Sequence, residues 1–131
     1  MTQDELKQRT KSFALRVMRL VESLPKTRVS DVLGKQLLRS GTSVGANYRA
    51  ACRGRSLAEF IAKLSIVEEE ADECIYWIEL LIESGQVERK LVESLLDEAN
   101  QLVSIVVSAI RTSKLKKKSE IRIPKSEIPN D

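Results

Sequence analysis

Six cations, Arg28, Lys35, Arg39, Arg49, Arg53 and Arg55, are the side chains whose type and spacing bear most directly on chemistry. Stepped at about 100° per residue, the first five fall on one helical face, opposite Leu33, Leu37, Val44, Tyr48 and Ala51. Asp31 is the only acid on that stripe, so most of its charge is not cancelled within the helix. Guanidinium and ammonium groups at neutral pH donate hydrogen bonds and hold charge but abstract no proton. The chemistry they imply is recognition of phosphates rather than bond-making.

Reactive constellations are missing. There is no His, which removes the usual general base, the commonest metal ligand and the Glu-x-x-His arrangement of carboxylate-bridged metal bundles. Glu69, Glu70 and Glu73 are close in sequence but point to different sides of a helix, which makes a salt-bridged or solvated face of them. Cys52 precedes a turn and Cys74 follows it by about 18 residues, so on consecutive helices they differ in height by roughly 27 Å. That separation rules out a disulfide between them, and both read as small reduced apolar residues. No glycine loop of phosphate-cradling type and no Cys pair of zinc spacing occurs. No enzymatic activity, cofactor or metal is expected.

Helices must position the stripe. With 131 residues, 42% hydrophobic, 31% charged and only 4% aromatic, the chain suits one all-α domain. Net charge is +3 at a pI near 8.9, so the distribution of charge matters more than its sum. A first helix is predicted over 3–24, with Leu6, Phe13, Val17, Leu20 and Leu24 on one stripe and Pro25 ending it. The second is predicted over 30–53, capped by Ser30 with Asp31 in its first turn. Gly41 and Gly45, four apart, either let a neighbouring backbone come close or mark a break. Ser43 and Asn47 on the other flank are expected to find local or neighbouring hydrogen-bond partners.

The third helix, predicted over 56–84, is the most regular. Ser56 and Glu59 form a capping-box pattern, the apolar line runs Leu57, Phe60, Leu64, Val67, Ala71, Cys74, Ile78, Leu81, and Gly85 ends it. Its polar surface is acidic, so a basic helix is followed by one of opposite charge. Glu59, Ile66, Glu70 and Trp77 form a second line about 100° from the core line. Either a neighbouring subunit covers that line, burying Trp77 and pairing the carboxylates with arginine, or it widens the internal core. The fourth helix, predicted over 87–113, places Leu91, Leu95, Leu102, Val106 and Ala109 inward, with more apolar surface than one face requires. Residues 1–113 thus read as a four-helix bundle and 114–131, with six Lys and Arg, as a loose basic tail. An N-terminus without a signal-like apolar stretch, and no apolar run near the roughly 20 residues that span a bilayer, point to a cytoplasmic protein.

The segment from Leu37 to Val87 resembles the bacterial four-helix-bundle proteins encoded in intervening sequences of large-subunit ribosomal RNA genes. These are similar to the accessory protein of diversity-generating retroelements, which works beside a reverse transcriptase. The resemblance lies on Ser43, Asn47, Tyr48 and Arg49, on the helix start from Ser56 to Lys63, and on the Tyr76 and Trp77 pair. Ala50 stands where many relatives carry Glu, and Gly54 where some carry a basic residue. The resemblance implies an up-down-up-down antiparallel bundle assembled as a ring, a homopentamer, with a basic surface that binds RNA or DNA.

Two functions follow as expectations. In one, the six cations, helped by the tail lysines, contact phosphates in a non-enzymatic nucleic-acid-binding oligomer, linked to ribosomal RNA intervening sequences or to a reverse transcriptase. In the other, the same cations meet an acidic protein or the acidic third helix of a neighbouring subunit, and the chain is a scaffold or adaptor that touches no nucleic acid.

Overall fold

Hydroxyl side chains set where the helices begin. Thr2 accepts from Glu5 N, Thr27 from Ser30 N and Ser56 from Glu59 N, opening α1 (Gln3–Ser23), α2 (Arg28–Cys52) and α3 (Leu57–Glu83), which α4 (Arg89–Arg122) follows. This computed structural model describes residues 1–122, and the expected tail over 123–131 lies outside the described residues. Ser30 is not the cap of α2. It is buried in the first turn, where its hydroxyl donates to Gln86 Oε1 at 2.9 Å, and Thr27 three residues earlier does the capping. At the far end of α3, Gly85 takes φ +80° and a Schellman pair closes the helix, Gln86 N to Leu81 O at 2.9 Å and Gly85 N to Ile82 O at 3.0 Å.

Contacts run in opposite senses along successive helices. Gly34 of α2 lies against Val21 of α1 and its C-cap Leu24, Gly41 and Gly45 against Val17 and Thr10 of α1, and Ser30, Ser40 of α2 against Gln86, Cys74 beside and within α3. Arg9 of α1 reaches Glu98 of α4, with Nε and Nη2 each 2.8 Å from a carboxylate oxygen and Nη2 also 2.6 Å from Gln101. This is the antiparallel four-helix order, and the guanidinium fork ties the first helix to the last. No break interrupts α2 between Arg28 and Cys52, and its glycines serve close approach to α1.

One apolar core fills the interior, with Phe13, Val17, Leu37, Val44, Leu64, Val67, Ile78, Leu81, Leu102 and Val106 all sealed from solvent. On α4 the inward line is Val92, Leu95, Ala99, Leu102, Val106, Ile110, so Leu91, expected inside, lies on the surface at 72% exposure. The phase is set by the later, denser part of the helix, and Leu91 falls about 100° away from Val92. α4 also runs nine residues past its expected end, because Lys114 to Lys118 favour helix and nothing breaks it before Pro124.

Both cysteines are free thiols, Cys74 buried and Cys52 half-buried. The Cys74 thiol donates to Ser40 Oγ at 3.4 Å, and burial, opposed by that bond and reinforced by Glu70 and Glu73, pushes its pKa up to about 12. A thiol held neutral by the fold contributes its full stability below the ordinary thiol range and loses it as pH rises from about 9 to about 12. Burial likewise pushes Tyr48 up, beside Cys52, so it adds to the same alkaline loss. The urea midpoint of the wild type is expected to fall more steeply over that window than the midpoint of Cys74→Ala. Parallel pH profiles would remove Cys74 from the account.

Candidate nucleic-acid interface

The sequence-predicted cations do not form one continuous patch. Arg39 turns toward α3, with Nη1 3.1 Å from Glu70 Oε2 and Nη2 2.7 Å from Glu73 Oε1. The hydrogen bond to Glu73 is the main reason its guanidinium is held even more firmly charged than usual. Arg39 thus ties α2 to α3 at the surface of the bundle, its side chain about half exposed (48%) and its charge balanced by the two carboxylates. Lys35 lies 3.1 Å from Asp31 one turn away, an exposed pair of small energetic value that leaves the ammonium accessible. Arg28 is exposed at the start of α2, about 38 Å along the axis from Arg53.

Arg49, Arg53 and Arg55 gather instead at the C-terminal end of α2, exposed and without an ion pair among the described residues. Arg53 is the C-cap residue of α2, its N–H donating to Ala50 and Ala51 carbonyls, and Gly54 makes the turn where an added Cβ would sit 3.0 Å from Ala51 O. Glu59 closes this corner by accepting from Arg55 N at 2.7 Å while Ser56 caps α3. That hydrogen bond fixes the backbone on which Arg55 is mounted. Glu59 thus has a local task within its own subunit while its side chain stays exposed.

Chain reversal brings further cations to the same end. Residues 1–13, 41–70 and 105–122 carry 13 Lys and Arg against seven Asp and Glu, a net of +6, while residues 14–40 and 71–104 carry eight against ten, a net of −2. Sequence reasoning did not assign Lys7 and Lys11 of α1, which face Arg49 across a cleft of about 440 Å³, to the site. It also left Lys114, Lys116, Lys117 and Lys118 on a tail, whereas they stand exposed on the last turns of α4. The available signal was the antiparallel order, which requires the first turns of α1 and the last of α2 and α4 to share an end.

The second predicted line divides in two. Glu70 is tied to Arg39 of its own subunit, Trp77 is half-buried against the core, and Ile66 is half-buried. Trp77 Nε1 is the one buried side-chain nitrogen or oxygen among the described residues that has no hydrogen-bond partner. Its ring meets that of exposed Tyr76 edge-on, centroids 5.1 Å apart. Ser43 and Asn47 bond back to Arg39 O and Ser43 O at 2.7 and 2.9 Å, so they are satisfied within α2.

Among the described residues no group of His, Cys, Asp and Glu could hold a metal ion, and no helix is long and apolar enough to cross a membrane. What the arrangement offers chemically is a dense, water-accessible set of cations at one end of a rigid bundle. Residues 2–108 match a protein-family description, that of the 23S rRNA-intervening sequence protein. A similar solved structure is that of a protein of unknown function from the S23 ribosomal protein family of Bacteroides thetaiotaomicron. It is 38% identical, superposes with a TM-score of 0.79, and the match covers 85% of this chain and 99% of that one. No curated protein matches.

Proposed function

The chain belongs to the 23S rRNA-intervening sequence protein family, and on that premise we propose that it is a non-enzymatic nucleic-acid-binding protein that grips phosphates with its basic end. The observation that carries this reading is the concentration of charge, +6 in one half of the bundle against −2 in the other. Arg49, Arg53 and Arg55 form its centre because no carboxylate among the described residues pairs with them. Arg28 and Lys35, at the opposite end, contribute only to long-range attraction. Contacts of this kind read backbone rather than bases, so little sequence preference is expected.

Fluorescence-anisotropy titrations of labelled single- and double-stranded RNA and DNA over a salt series test the proposal. Each phosphate neutralised contributes about 0.7 to 0.9 to the slope of log affinity against log salt. Three arginines therefore predict a slope of roughly −2 to −3 or steeper. No binding at low salt, or binding that salt leaves unchanged, would leave the scaffold reading in its place.

Self-association is the second part of the reading, supported by Trp77. Its ring is half-buried and meets exposed Tyr76 edge-on, an aromatic pair that a second subunit would cover. Assembly into a ring, the homopentamer that family resemblance implies, would repeat the basic end around an axis and raise affinity by avidity. Light scattering during the same titrations gives the mass, and a lone 14.8 kDa subunit would end the ring proposal.

A further inference from the structure

The cleft between α1 and α2 is lined by Lys7, Lys11 and Arg49, with Thr10, Thr42 and Gly45 beneath them, and no carboxylate lines it. Gly45 makes the floor. A Cβ there would stand 3.1 Å from Thr10 Oγ1, so any side chain would fill the trough where the helices approach. Thr10 donates its hydroxyl to Leu6 O and Lys7 O, and Thr42 donates to Leu38 O and Arg39 O, so neither hydrogen is free to reach into the cleft. The charged donors facing it are the three cations, with the Gln8 amide beside them. Lys7 and Lys11 stand one helical turn apart, where like charges repel, and neither they nor Arg49 has an ion pair among the described residues.

Three unneutralised cations from two helices around one acid-free concavity suit a compact anion with several acceptor oxygens. We propose that this cleft seats a single phosphate group of the bound polynucleotide, Lys7 and Lys11 holding it from α1 and Arg49 from α2. The inference rests on the nucleic-acid reading above and sharpens it: elsewhere on the basic end a phosphate would meet open surface, whereas here it sits in a groove and is held from two helices. A phosphate seated there fixes the register of the strand on the bundle.

The test compares full-length wild type with Lys7→Gln/Lys11→Gln and Lys7→Arg/Lys11→Arg, using a 20-nucleotide single strand with and without a 5′-phosphate, over 0.05 to 0.4 M salt. Losing one phosphate contact should reduce the magnitude of the slope by about 0.7 to 0.9, and weaken binding about five- to eightfold at 0.1 M. The arginine variant, which keeps the charge, should bind as wild type does, and thermal melts of all three should coincide. A loss confined to the 5′-phosphorylated strand assigns the cleft to a terminal phosphate, and an equal loss on both strands to an internal one. Wild-type binding with the glutamine variant unchanged overturns the cleft and leaves the basic end standing. A slope change near 2 overturns convergence on one phosphate, and a wild type that binds neither strand overturns both readings.

Discussion

Arg49→Glu, Arg53→Glu and Arg55→Glu combined are expected to weaken binding to RNA and DNA on the order of 10² to 10³-fold at 0.1 M salt. Each backbone contact with a slope near 0.9 is worth about eightfold between 1 M and 0.1 M salt, so three contacts multiply to several hundredfold. Reversal of charge adds repulsion to that loss. All three side chains are exposed, and none is in an ion pair among the described residues, so the fold should survive. The matched control is Arg28→Glu with Lys35→Glu, which changes two charges about 38 Å to 27 Å from Arg53 along the axis of α2. It should reduce affinity only a few-fold, through the long-range field. Equal losses from the two variants would mean that the whole of α2, and not one end of the bundle, meets the ligand. Arg39→Glu would be a misleading probe, because it places a third carboxylate beside Glu70 and Glu73 and strikes the α2–α3 contact instead.

The largest effect on stability is expected at Gly41. A Cβ there would sit 2.7 Å from Val17 Cγ1 and 3.0 Å from Val17 Cβ and Cγ2. Val17 is fully buried and β-branched, so it has no rotamer into which to retreat. Overpacking of this kind costs about 1 to 3 kcal/mol, against a helix-propensity gain of up to about 1 kcal/mol. Gly41→Ala should therefore lose about 1 to 2 kcal/mol, and Gly41→Val, which adds two more carbons, substantially more. Gly34→Ala should do the reverse. Its nearest neighbours are the ends of Leu24 and Val21 at 3.3 and 3.4 Å, near the end of α1 where side chains can shift, so the propensity gain survives. A double-mutant cycle of Gly41→Ala with Val17→Ala completes the comparison, since the smaller partner should recover part of the loss. Denaturant midpoints for Gly41→Ala equal to those of Gly34→Ala would disprove the close-approach account.

Much of this architecture is legible in the chain itself. The run from Leu64 through Val67, Ala71, Cys74 and Ile78 to Leu81 follows the helical period without interruption, and each of these residues is sealed in the core. The capping pattern at Ser56 and the stop at Gly85 are equally local, because their partners lie within five residues. Leu91 misled because two apolar residues in succession fit the start of α4, and only the phase of the whole helix selects Val92. Thr27 and Ser30 are both good caps three residues apart. Gln86, 56 residues further on, draws Ser30 inward.

Periodicity and capping specify helices because they depend on neighbours three and four residues away, and so the four rods, their cores and their turns can be read from residue order. Which charges remain free cannot be read that way. Arg39 is neutralised by acids 31 and 34 residues distant, and Lys7 stands beside Arg49 only because α1 and α2 run antiparallel. Electrostatic pairing acts through space over a few ångströms, so packing alone decided that the cations collect at one end and that Arg39, in the middle of the stripe, meets two carboxylates.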